Sequence, residues 1–465
     1  MKRRTAMALG VGLAMILLLA AVACSKSGDD EEEQAFYRFF LDTPPDGATD
    51  VNPMVLLHWS IFCNMDWSGD ADLYLGVTPY PPFLRKITRG ESGYHRPGPL
   101  KPNQTYYWRL YVPSPPGSSK VQSFTVGRDR TVWAYALPPG QSLFDTQPIP
   151  RVLGNRIYQT SEKNLLYCLD AATGALFWIF DPSQATSMAK ARPAAAERIY
   201  HSTGRIWCLD AFTGAVQWRS VSPAATGYRP PLARGDRLFA HSNDRISCFD
   251  AATGSEIWGT DRVLCTSLAE AGGRVFVTTT TSLYNDGTTF LECLDAETGA
   301  LLWSRDFGTQ FPYPRNPAAT ASRVYINCAD RLYCLDVASG ATIWEFAARE
   351  RAGKPFVFAD QVLLSEGQDS YVLLDAGSGA PLWRTTLINS DYQHYTSMNG
   401  DPVVVGGNLM LADWSGYLYA IDATTGAIRW HYFVSTDMQG IASFGNLVYV
   451  TGDDEYLYCL DTEQP

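Results

Sequence analysis

One segment recurs along this chain and constrains its fold more than any other feature. It runs from Leu166 to Trp178 as Leu-Tyr-Cys-Leu-Asp-Ala-Ala-Thr-Gly-Ala-Leu-Phe-Trp, and further copies begin at Ile206, Ile246, Leu291, Leu332, Tyr371, Leu418 and, truncated, Leu457. The aspartates of these eight copies lie 39 to 47 residues apart. A period near 40 residues, made of short strands and tight turns, is typical of a β-propeller in which each repeat is one four-stranded sheet, or blade.

The residues inside each repeat are interpreted as architecture. Asn155–Thr160 and Leu165–Leu169 read as strands, Asp170–Gly174 as a tight turn and Ala175–Phe180 as the last strand. Glycine supplies the positive φ of such a turn, and Asp and Thr hydrogen-bond its backbone. Six copies carry a cysteine two residues before the aspartate, where the other two carry Leu or Ala. This predicts buried thiols, and neither a catalytic residue nor a metal site is expected in the repeat.

The two ends of the repeat region complement each other. Leu447–Asp461 supplies middle strands without a Trp strand, and Thr131–Leu137 has the shape of a Trp strand without a preceding blade. Pairing of residues 131–137 with 447–461 would close the ring at eight blades and remove its open edges. Seven blades followed by an irregular tail is the alternative.

The pattern Asp-Ala-x-Thr-Gly-x-x-x-Trp resembles the tryptophan-docking motif of quinoprotein (PQQ-like) β-propellers. The resemblance implies an all-β, eight-bladed propeller of four-stranded blades over residues 128–465. It also implies that each motif tryptophan packs against the neighbouring blade. These clamp residues are Trp133, Trp178, Trp218, Trp258, Trp303, Trp344, Trp383 and Trp430.

The N-terminus has the features of a targeting segment. Residues 1–23 contain a basic start, an apolar stretch too short for a convincing membrane span, and Ala21-Val22-Ala23 before Cys24. This resembles a bacterial lipobox and implies lipidation of Cys24; an ordinary secretory signal is the alternative. Ser25 favours the outer membrane, and residues 24–35 form an acidic tether. Removing residues 1–23 moves the formal charge from −11 to −14, which argues against nucleic-acid binding.

Residues 36–127 lack the repeat and are predicted to form a small β-sandwich. Leu100–Leu110 resembles the start of strand F in fibronectin type III (immunoglobulin-like) domains, which makes Tyr106 the corner tyrosine whose hydroxyl ties back to the backbone. Trp59 is the expected core tryptophan. A short hinge at Gly127–Arg130 is predicted to join this unit to the propeller.

The loops that fail to repeat are the best candidates for a binding site. Cations and tyrosines lie in several loops that lead into the innermost strands, where Arg and Tyr can bind a carboxylate, a phosphate or a sugar acid. The alternative is a rim of solvated side chains paired with local acids. The candidate ligand rim consists of Arg192, Tyr228, Arg229, Tyr313, Arg315, Lys354, His394 and Tyr395.

Three functions fit these features. The first is a non-catalytic cell-envelope lipoprotein that binds a protein or an anionic or glycan ligand. It is similar in outline to the propeller lipoproteins of the outer-membrane β-barrel assembly machinery, although the fibronectin-like unit is a departure. The second is a quinoprotein dehydrogenase with PQQ and calcium, but its vicinal Cys-Cys pair is missing from this sequence. The third is a surface carbohydrate- or protein-binding module. We favour the first, with no cofactor.

Overall fold

In the computed structural model, the regular secondary structure of the described residues is entirely β-strand. This confirms the predicted all-β class. Among the described residues, no helix is long and apolar enough to cross a membrane. The described residues are 37–64, 70–88, 93–137, 150–161, 165–182, 190–194 (backbone only), 198–202, 205–220, 231–242, 244–282, 287–308, 317–367, 369–387, 401–435, 438, 440–452, 454 and 456–463.

The N-terminal unit consists of two facing sheets. Its strands are β1 (Tyr37–Thr43), β2 (Ala48–Val51), β3 (Leu57–Cys63), β4 (Ala71–Gly76), β5 (Phe83–Ile87), β6 (Tyr94–His95), β7 (Thr105–Pro113), β8 (Pro116–Ser118) and β9 (Gln122–Val126). One sheet has the order β1-β3-β6, and the other has β2-β9-β7-β4-β5 with β8 beside β7.

Trp59 and Trp108 lie between the two sheets with ring centroids 6.5 Å apart. The backbone N–H of Lys101 donates to the Tyr106 hydroxyl at 3.1 Å. Tyr106 thus makes the kind of backbone contact that the resemblance implies. Membership of this unit in the fibronectin type III family stays a prediction.

In the described residues the repeat region forms seven separate four-stranded antiparallel sheets, and an eighth set of four strands is part of a ten-stranded sheet that also contains strands of the N-terminal unit. Blades 1 to 4 are β11 (Arg151–Leu153), β12 (Arg156–Thr160), β13 (Leu166–Asp170) and β14 (Leu176–Phe180); β15 (Lys190–Ala194), β16 (Arg198–Ser202), β17 (Ile206–Asp210) and β18 (Val216–Arg219); β19 (Leu232–Arg234), β20 (Arg237–His241), β21 (Arg245–Asp250) and β22 (Glu256–Asp261); and β23 (Cys265–Ala271), β24 (Arg274–Thr280), β25 (Thr289–Asp295) and β26 (Leu301–Asp306).

The later blades follow the same strand order. Blades 5 to 7 are β27 (Ala318–Ala319), β28 (Arg323–Cys328), β29 (Arg331–Asp336) and β30 (Thr342–Ala347); β31 (Phe356–Phe358), β32 (Gln361–Glu366), β33 (Ser370–Asp375) and β34 (Pro381–Thr386); and β35 (Val403–Val405), β36 (Asn408–Ala412), β37 (Tyr417–Asp422) and β38 (Ile428–Phe433). Blade 8 combines β10 (Thr131–Ala136) with β39 (Gly440–Phe444), β40 (Leu447–Thr451) and β41 (Tyr456–Asp461).

Blade 8 is built from both ends of the repeat region. β10 pairs antiparallel with β41, and Trp133 lies opposite Cys459. Leu457 and Cys459 of this sheet share a buried cluster with Tyr167 and Leu169 of blade 1. Strand pairing within blade 8 and packing against blade 1 therefore connect the two ends of the repeat region.

The hydrophobic core of the propeller lies between adjacent blades. In one cluster, Leu166 and Cys168 of blade 1 pack on Ile199 and Leu209 of blade 2. Both faces of a middle strand are covered in this way, which explains why the repeat is apolar at consecutive positions and does not alternate. Burial of this apolar surface is the main force that stabilises the stack of sheets.

The junction between the two units is not the hinge that the sequence suggested. β2 runs parallel to β38, with Val51 paired to Phe433, so the N-terminal sheet continues blade 7. The Asn52 N–H donates to the Phe433 carbonyl at 2.8 Å. The Arg130 guanidinium lies 4.1 Å from the ring centroid of Trp430. The Gly127 N–H donates to the Val51 carbonyl and the Asp461 N–H donates to the Arg130 carbonyl, both at 2.9 Å, so the two ends of residues 127–130 are held.

A buried ion pair forms the second contact between the units. Arg96, just after β6, places Nη2 2.8 Å from Oδ2 of Asp454 in blade 8. Its Nη1 donates to the Tyr458 hydroxyl at 3.1 Å, and its guanidinium lies 4.3 Å from the Tyr456 ring centroid. The Asp454 side chain is only 1% exposed. The N-terminal unit is therefore docked on blades 7 and 8 by a strand pairing and a desolvated charge pair.

Candidate functional site

The strand register gives the propeller two unlike faces. In blade 1, Thr160 pairs with Leu166 at one end of the sheet, whereas Leu169 pairs with Leu176 at the other. The first end carries the turn between the second and third strands and the connections to neighbouring blades; we call it the crossover face. The second end carries the Asp-Thr-Gly turns and is called the turn face.

The repeated aspartates of the turn face are used to fold their own turns. Asp250 Oδ1 accepts bonds from the Ala252 N–H at 3.0 Å, the Thr253 N–H at 2.7 Å and the Thr253 hydroxyl at 2.8 Å. The Thr or Ser three residues on makes equivalent bonds in the turns of Asp170, Asp210, Asp295, Asp336, Asp375 and Asp422. These carboxylates are occupied by turn donors, as expected for structural residues.

The repeated tryptophans join neighbouring blades across these turns. Trp218 of blade 2 donates its Nε1–H to the carbonyl of Ala251 in blade 3 at 3.2 Å. A Cβ placed on Gly254 of the same turn would lie 2.3 Å from the Trp218 ring. Glycine is thus required both for its positive φ and for the close approach of the ring. Corresponding bonds of 3.0 to 3.1 Å join Trp133 to Ala171, Trp258 to Ala296, Trp303 to Val337, Trp344 to Ala376 and Trp383 to Ala423.

Two of the eight tryptophans depart from this pattern. The Trp178 ring lies on Gly214, but the hydroxyl of Tyr158 donates to the Ala211 carbonyl at 2.9 Å, and the Trp178 Nε1 has no hydrogen-bond partner among the described residues. Trp430 faces the truncated eighth copy and carries the Arg130 guanidinium on its ring. The exception at Trp430 arises where the N-terminal unit joins the propeller.

The recurring cysteines are buried in the inter-blade core. All six are fully buried: Cys168, Cys208, Cys248, Cys293, Cys334 and Cys459. Burial raises the pKa of Cys208 and Cys459 to about 12 and that of Cys248 to about 11. A protonated thiol is a poor nucleophile and a poor metal ligand. Within the described residues, no group of His, Cys, Asp or Glu side chains is arranged to hold a metal ion.

The structure places one side chain of the predicted ligand rim. Lys354 precedes β31 on the crossover face and forms an ion pair with Asp401, and both side chains are partly exposed. Arg192 lies in β15, of which only the backbone is described. The other rim residues, Tyr228, Arg229, Tyr313, Arg315, His394 and Tyr395, fall outside the described residues. The rim stays a prediction, and Lys354 has the local acidic partner of the alternative interpretation.

Sequence reasoning missed buried acids at the crossover face. Glu366 ends β32 and accepts bonds from Arg384 Nε at 2.9 Å and the Arg349 N–H at 3.0 Å. Asp413 follows β36 and accepts bonds from the Tyr417 N–H at 2.7 Å and the Ser415 hydroxyl at 2.6 Å; burial raises its pKa to about 6.

A signal for these acids exists in the repeat alignment. At the position of Glu366 and Asp413, other blades carry Ser161, Ser242, Thr279 and Cys328. A charged residue at an otherwise uncharged buried position predicts a specific partner. In the described part of the crossover face, Glu366, Asp413 and Asp454 hold turns and loops in place.

The turn aspartates predict how stability depends on pH. Hydrogen bonds from the Thr or Ser of each turn lower the pKa of Asp250, Asp295, Asp336 and Asp375. A carboxyl whose folded pKa is depressed stabilises the fold above its unfolded pKa of about 3.9, and this contribution is lost as the pH falls through the lower folded pKa. We expect the melting temperature to fall steeply below about pH 4 in a calorimetric pH series.

A variant with Asn at positions 250, 295 and 336 is the control for this expectation. Asn can still accept the turn bonds but does not titrate, so its melting temperature should change less below about pH 4. Asp413 titrates with the opposite sign, because its raised pKa favours folding as the pH falls from about 6 towards about 4. Since Asp413 is present in both proteins, it cancels in the comparison. Identical acid slopes would contradict the assignment.

The ring of four-stranded sheets and its tryptophan clamps define the class: this is a PQQ-like β-propeller, as the repeat motif predicted. The family described as "Outer membrane protein assembly factor BamB" matches residues 117–200, 202–292 and 287–442, which is more than half of the chain. The chain therefore belongs to this family.

Known proteins with similar folds or sequences include a family member and two quinone-linked enzymes. BamB from Moraxella catarrhalis superposes with a TM-score of 0.54 at 19% identity, covering 72% of this chain and 98% of that one. The quinohemoprotein alcohol dehydrogenase of Comamonas testosteroni gives 0.55 at 14% identity, covering 71% and 76%. The dehydrogenase subunit of the quinone alcohol dehydrogenase of Gluconobacter oxydans is 28% identical over 31% of this chain. The alignments span less than a fifth of the length of the curated relatives.

Proposed function

We propose that this protein is a non-catalytic lipoprotein of the cell envelope that presents its propeller as a binding scaffold for another envelope protein. The anchor is the lipid predicted on Cys24, and the outer membrane is the membrane that Ser25 and the family description favour. The observation that carries the proposal is the docked N-terminal unit. β2 and Arg96 attach this unit to blades 7 and 8, and the proposal is that the part nearest the anchor and the propeller move together.

A rigid connection of this kind suits a scaffold. A partner bound on the propeller would be held at a defined height and orientation above the membrane. Binding would then carry no entropy cost for ordering a flexible joint between the two units. The crossover face is the proposed binding face, because it carries the loops that differ between blades. Variable loops on a regular framework are where binding residues concentrate. A glycan ligand is the alternative occupant of the same face.

The quinoprotein dehydrogenase is the second candidate, and the likeness to two quinone-linked dehydrogenases supports it. PQQ would need basic side chains for its carboxylates and acidic ligands for calcium. On the described crossover face, Lys354 is paired with Asp401 and Glu366 with Arg384. The described residues therefore do not fit a cradle for PQQ and calcium. The predicted rim residues outside them are the remaining candidates.

Photo-crosslinking in intact cells tests the scaffold proposal. A benzoylphenylalanine at position 354 on the crossover face is compared with one at position 297, an exposed position in a turn of blade 4. We expect a discrete protein adduct from position 354 and little or none from position 297, because only the crossover face is proposed to bind. Mass spectrometry of the adduct identifies the partner.

Two results would contradict the proposal. Equal adducts from both positions would mean that contact is random, and a glycan adduct at position 354 would favour the carbohydrate-binding alternative. Incubation of the purified protein with PQQ and calcium addresses the enzyme directly. A quinone absorbance that survives gel filtration, together with dye reduction by an alcohol or a sugar, would replace the scaffold by a dehydrogenase.

A further inference from the structure

The outer face of the sheet β1-β3-β6 exposes three aromatic side chains. Phe40, Phe62 and Tyr94 are 51%, 58% and 51% exposed. They lie on three adjacent strands, since Phe40 is paired with Ser60 of β3 and Tyr94 with His58 of the same strand. We call this surface the aromatic face. The outward positions between these rings are polar, so the face combines three exposed aromatic side chains with hydrogen-bonding groups, and exposed aromatic side chains rimmed by polar residues mark sites of interaction.

The core of the unit does not need these three side chains. Leu57 and Trp59 point inward from β3 and are buried, while the alternate residues of the same strand point outward. Successive side chains of a strand point to opposite faces, so the outward aromatics contribute little to the interior. Their exposure to water is a cost that an occupant of the face would remove.

Polar groups accompany the aromatic rings in a pattern suited to an interface between water and lipid. Arg38 is paired with Phe62 across β1 and β3. The His58 Nδ1 lies 3.1 Å from the Asp42 Oδ2 at the other end of the face. Aromatic rings settle at the level of lipid headgroups, where polar side chains beside them stay hydrated.

The position of the face in the chain brings it close to the predicted anchor. Phe40 of the aromatic face lies in β1, which begins at Tyr37 and is the first described strand after Cys24. Whatever conformation residues 24–36 adopt, they span at most about 45 Å. A face tied this closely to a lipid is held at a high effective concentration next to the bilayer, so weak contacts are enough to keep it there.

We propose that the aromatic face rests on the lipid surface to which the chain is anchored, with Phe40, Phe62 and Tyr94 at headgroup level. The inference rests on the proposed function in one respect, the lipid on Cys24. It adds the orientation of the molecule. Because the N-terminal unit is docked on blades 7 and 8, contact between the aromatic face and the bilayer fixes the tilt of the whole propeller.

The other sheet of the same unit offers a matched control surface. Tyr80 and Phe83 are 92% and 55% exposed. Phe83 lies in β5, the last strand of the sheet β2-β9-β7-β4-β5, and Tyr80 lies in the turn between β4 and β5. Neither residue belongs to the sheet β1-β3-β6, so both are exposed aromatic controls outside the aromatic face.

The test places benzoylphenylalanine singly at positions 40, 62, 80, 83 and 94 of the full lipidated chain. Each protein is reconstituted into vesicles of phosphatidylethanolamine and phosphatidylglycerol, irradiated, and analysed for phospholipid adducts by mass spectrometry. We expect positions 40, 62 and 94 to give at least about five-fold more adduct than positions 80 and 83, because only the first three sit at the headgroups.

Hydrogen exchange on the same vesicles gives a second measurement. The variant F40S/F62S should lose the vesicle-dependent protection of β1 and β3, whereas F83S should keep it. Melting temperatures in detergent show whether each variant is folded. Equal phospholipid adducts at all five positions would overturn the inference, and so would adducts between two copies of the chain at positions 40 and 62.

A separate measurement tests the lipid anchor on Cys24. The mass of the N-terminal peptide shows whether Cys24 carries lipid. Lipid on Cys24 without selective adducts overturns the aromatic face and leaves the scaffold proposal intact. An unlipidated Cys24 overturns the anchor itself, and the aromatic-face inference falls with it.

Discussion

Replacing Gly254 with alanine is expected to lower the free energy of unfolding by about 3 kcal/mol or more. Two costs add at this position. The backbone has φ of +72°, which an L-residue adopts only at a cost of about 1 to 2 kcal/mol. The new Cβ would also lie 2.3 Å from the Trp218 ring, so the clamp between two blades must open. Chemical denaturation of the full chain measures the loss.

Gly235→Ala in the same blade separates the two costs. Gly235 has φ of +56°, but a Cβ there would meet nothing within 4 Å. This control variant carries the cost of the backbone conformation alone, about 1 to 2 kcal/mol. The difference between the two variants therefore measures the tryptophan clamp. Equal losses would mean that the Trp218 ring yields without cost, which would contradict the role assigned to the clamp.

The propeller was predictable from sequence because its determinants are local and repeated. An aspartate, a threonine or serine, and a glycine fold one turn through bonds that span at most three residues, and each repeat states the rule again. The tryptophan contact reaches only the next copy, 32 to 40 residues away. Because the same residues recur at the same spacing in each copy, the sequence alone assigns them a structural role.

The docking of the N-terminal unit was not predictable in the same way. Arg96 and Asp454 are separated by 358 residues; Arg96 lies outside the repeats, and Asp454 is not one of the residues that recur in them. Nothing in the composition of Gly127–Arg130 distinguishes a free hinge from a segment held by β2 and Trp430. The ligand rim has the same difficulty, because its residues lie in loops that differ from blade to blade. Only Lys354 among them has a described side chain, and its partner Asp401 is 47 residues away.

Replacing Asp454 with alanine is expected to release the N-terminal unit from blade 8. The change would leave the Arg96 cation and the Tyr458 hydroxyl without their acidic partner at a site where the carboxylate is 1% exposed. Removing one member of a buried charge pair costs about 3 to 5 kcal/mol, because the other charge stays desolvated. Glu345→Ala, which removes the exposed ion pair with Arg331, should cost no more than about 1 kcal/mol.

Hydrogen exchange at one amide distinguishes undocking from general loss of stability. The Asn52 N–H is bonded to the Phe433 carbonyl across the junction, so its protection reports the contact between β2 and β38. In Asp454→Ala this amide should exchange faster, while amides in the middle strands of blades 2 to 5 keep their protection. Unchanged protection of Asn52 would show that the strand pairing holds the unit without the ion pair.

The double variant Arg96→Met/Asp454→Leu separates the effect of the charges from the effect of filling the site, because it replaces both charged side chains with apolar ones. The attraction between two buried charges offsets only part of the free energy that their desolvation costs. The double variant should therefore recover much of the stability lost in Asp454→Ala. If it also restores the protection of Asn52, the docking depends on filling the site beside Tyr456 and Tyr458, and the charges serve to specify the partner. If protection is not restored, the ion pair itself holds the propeller at its fixed angle to the N-terminal unit.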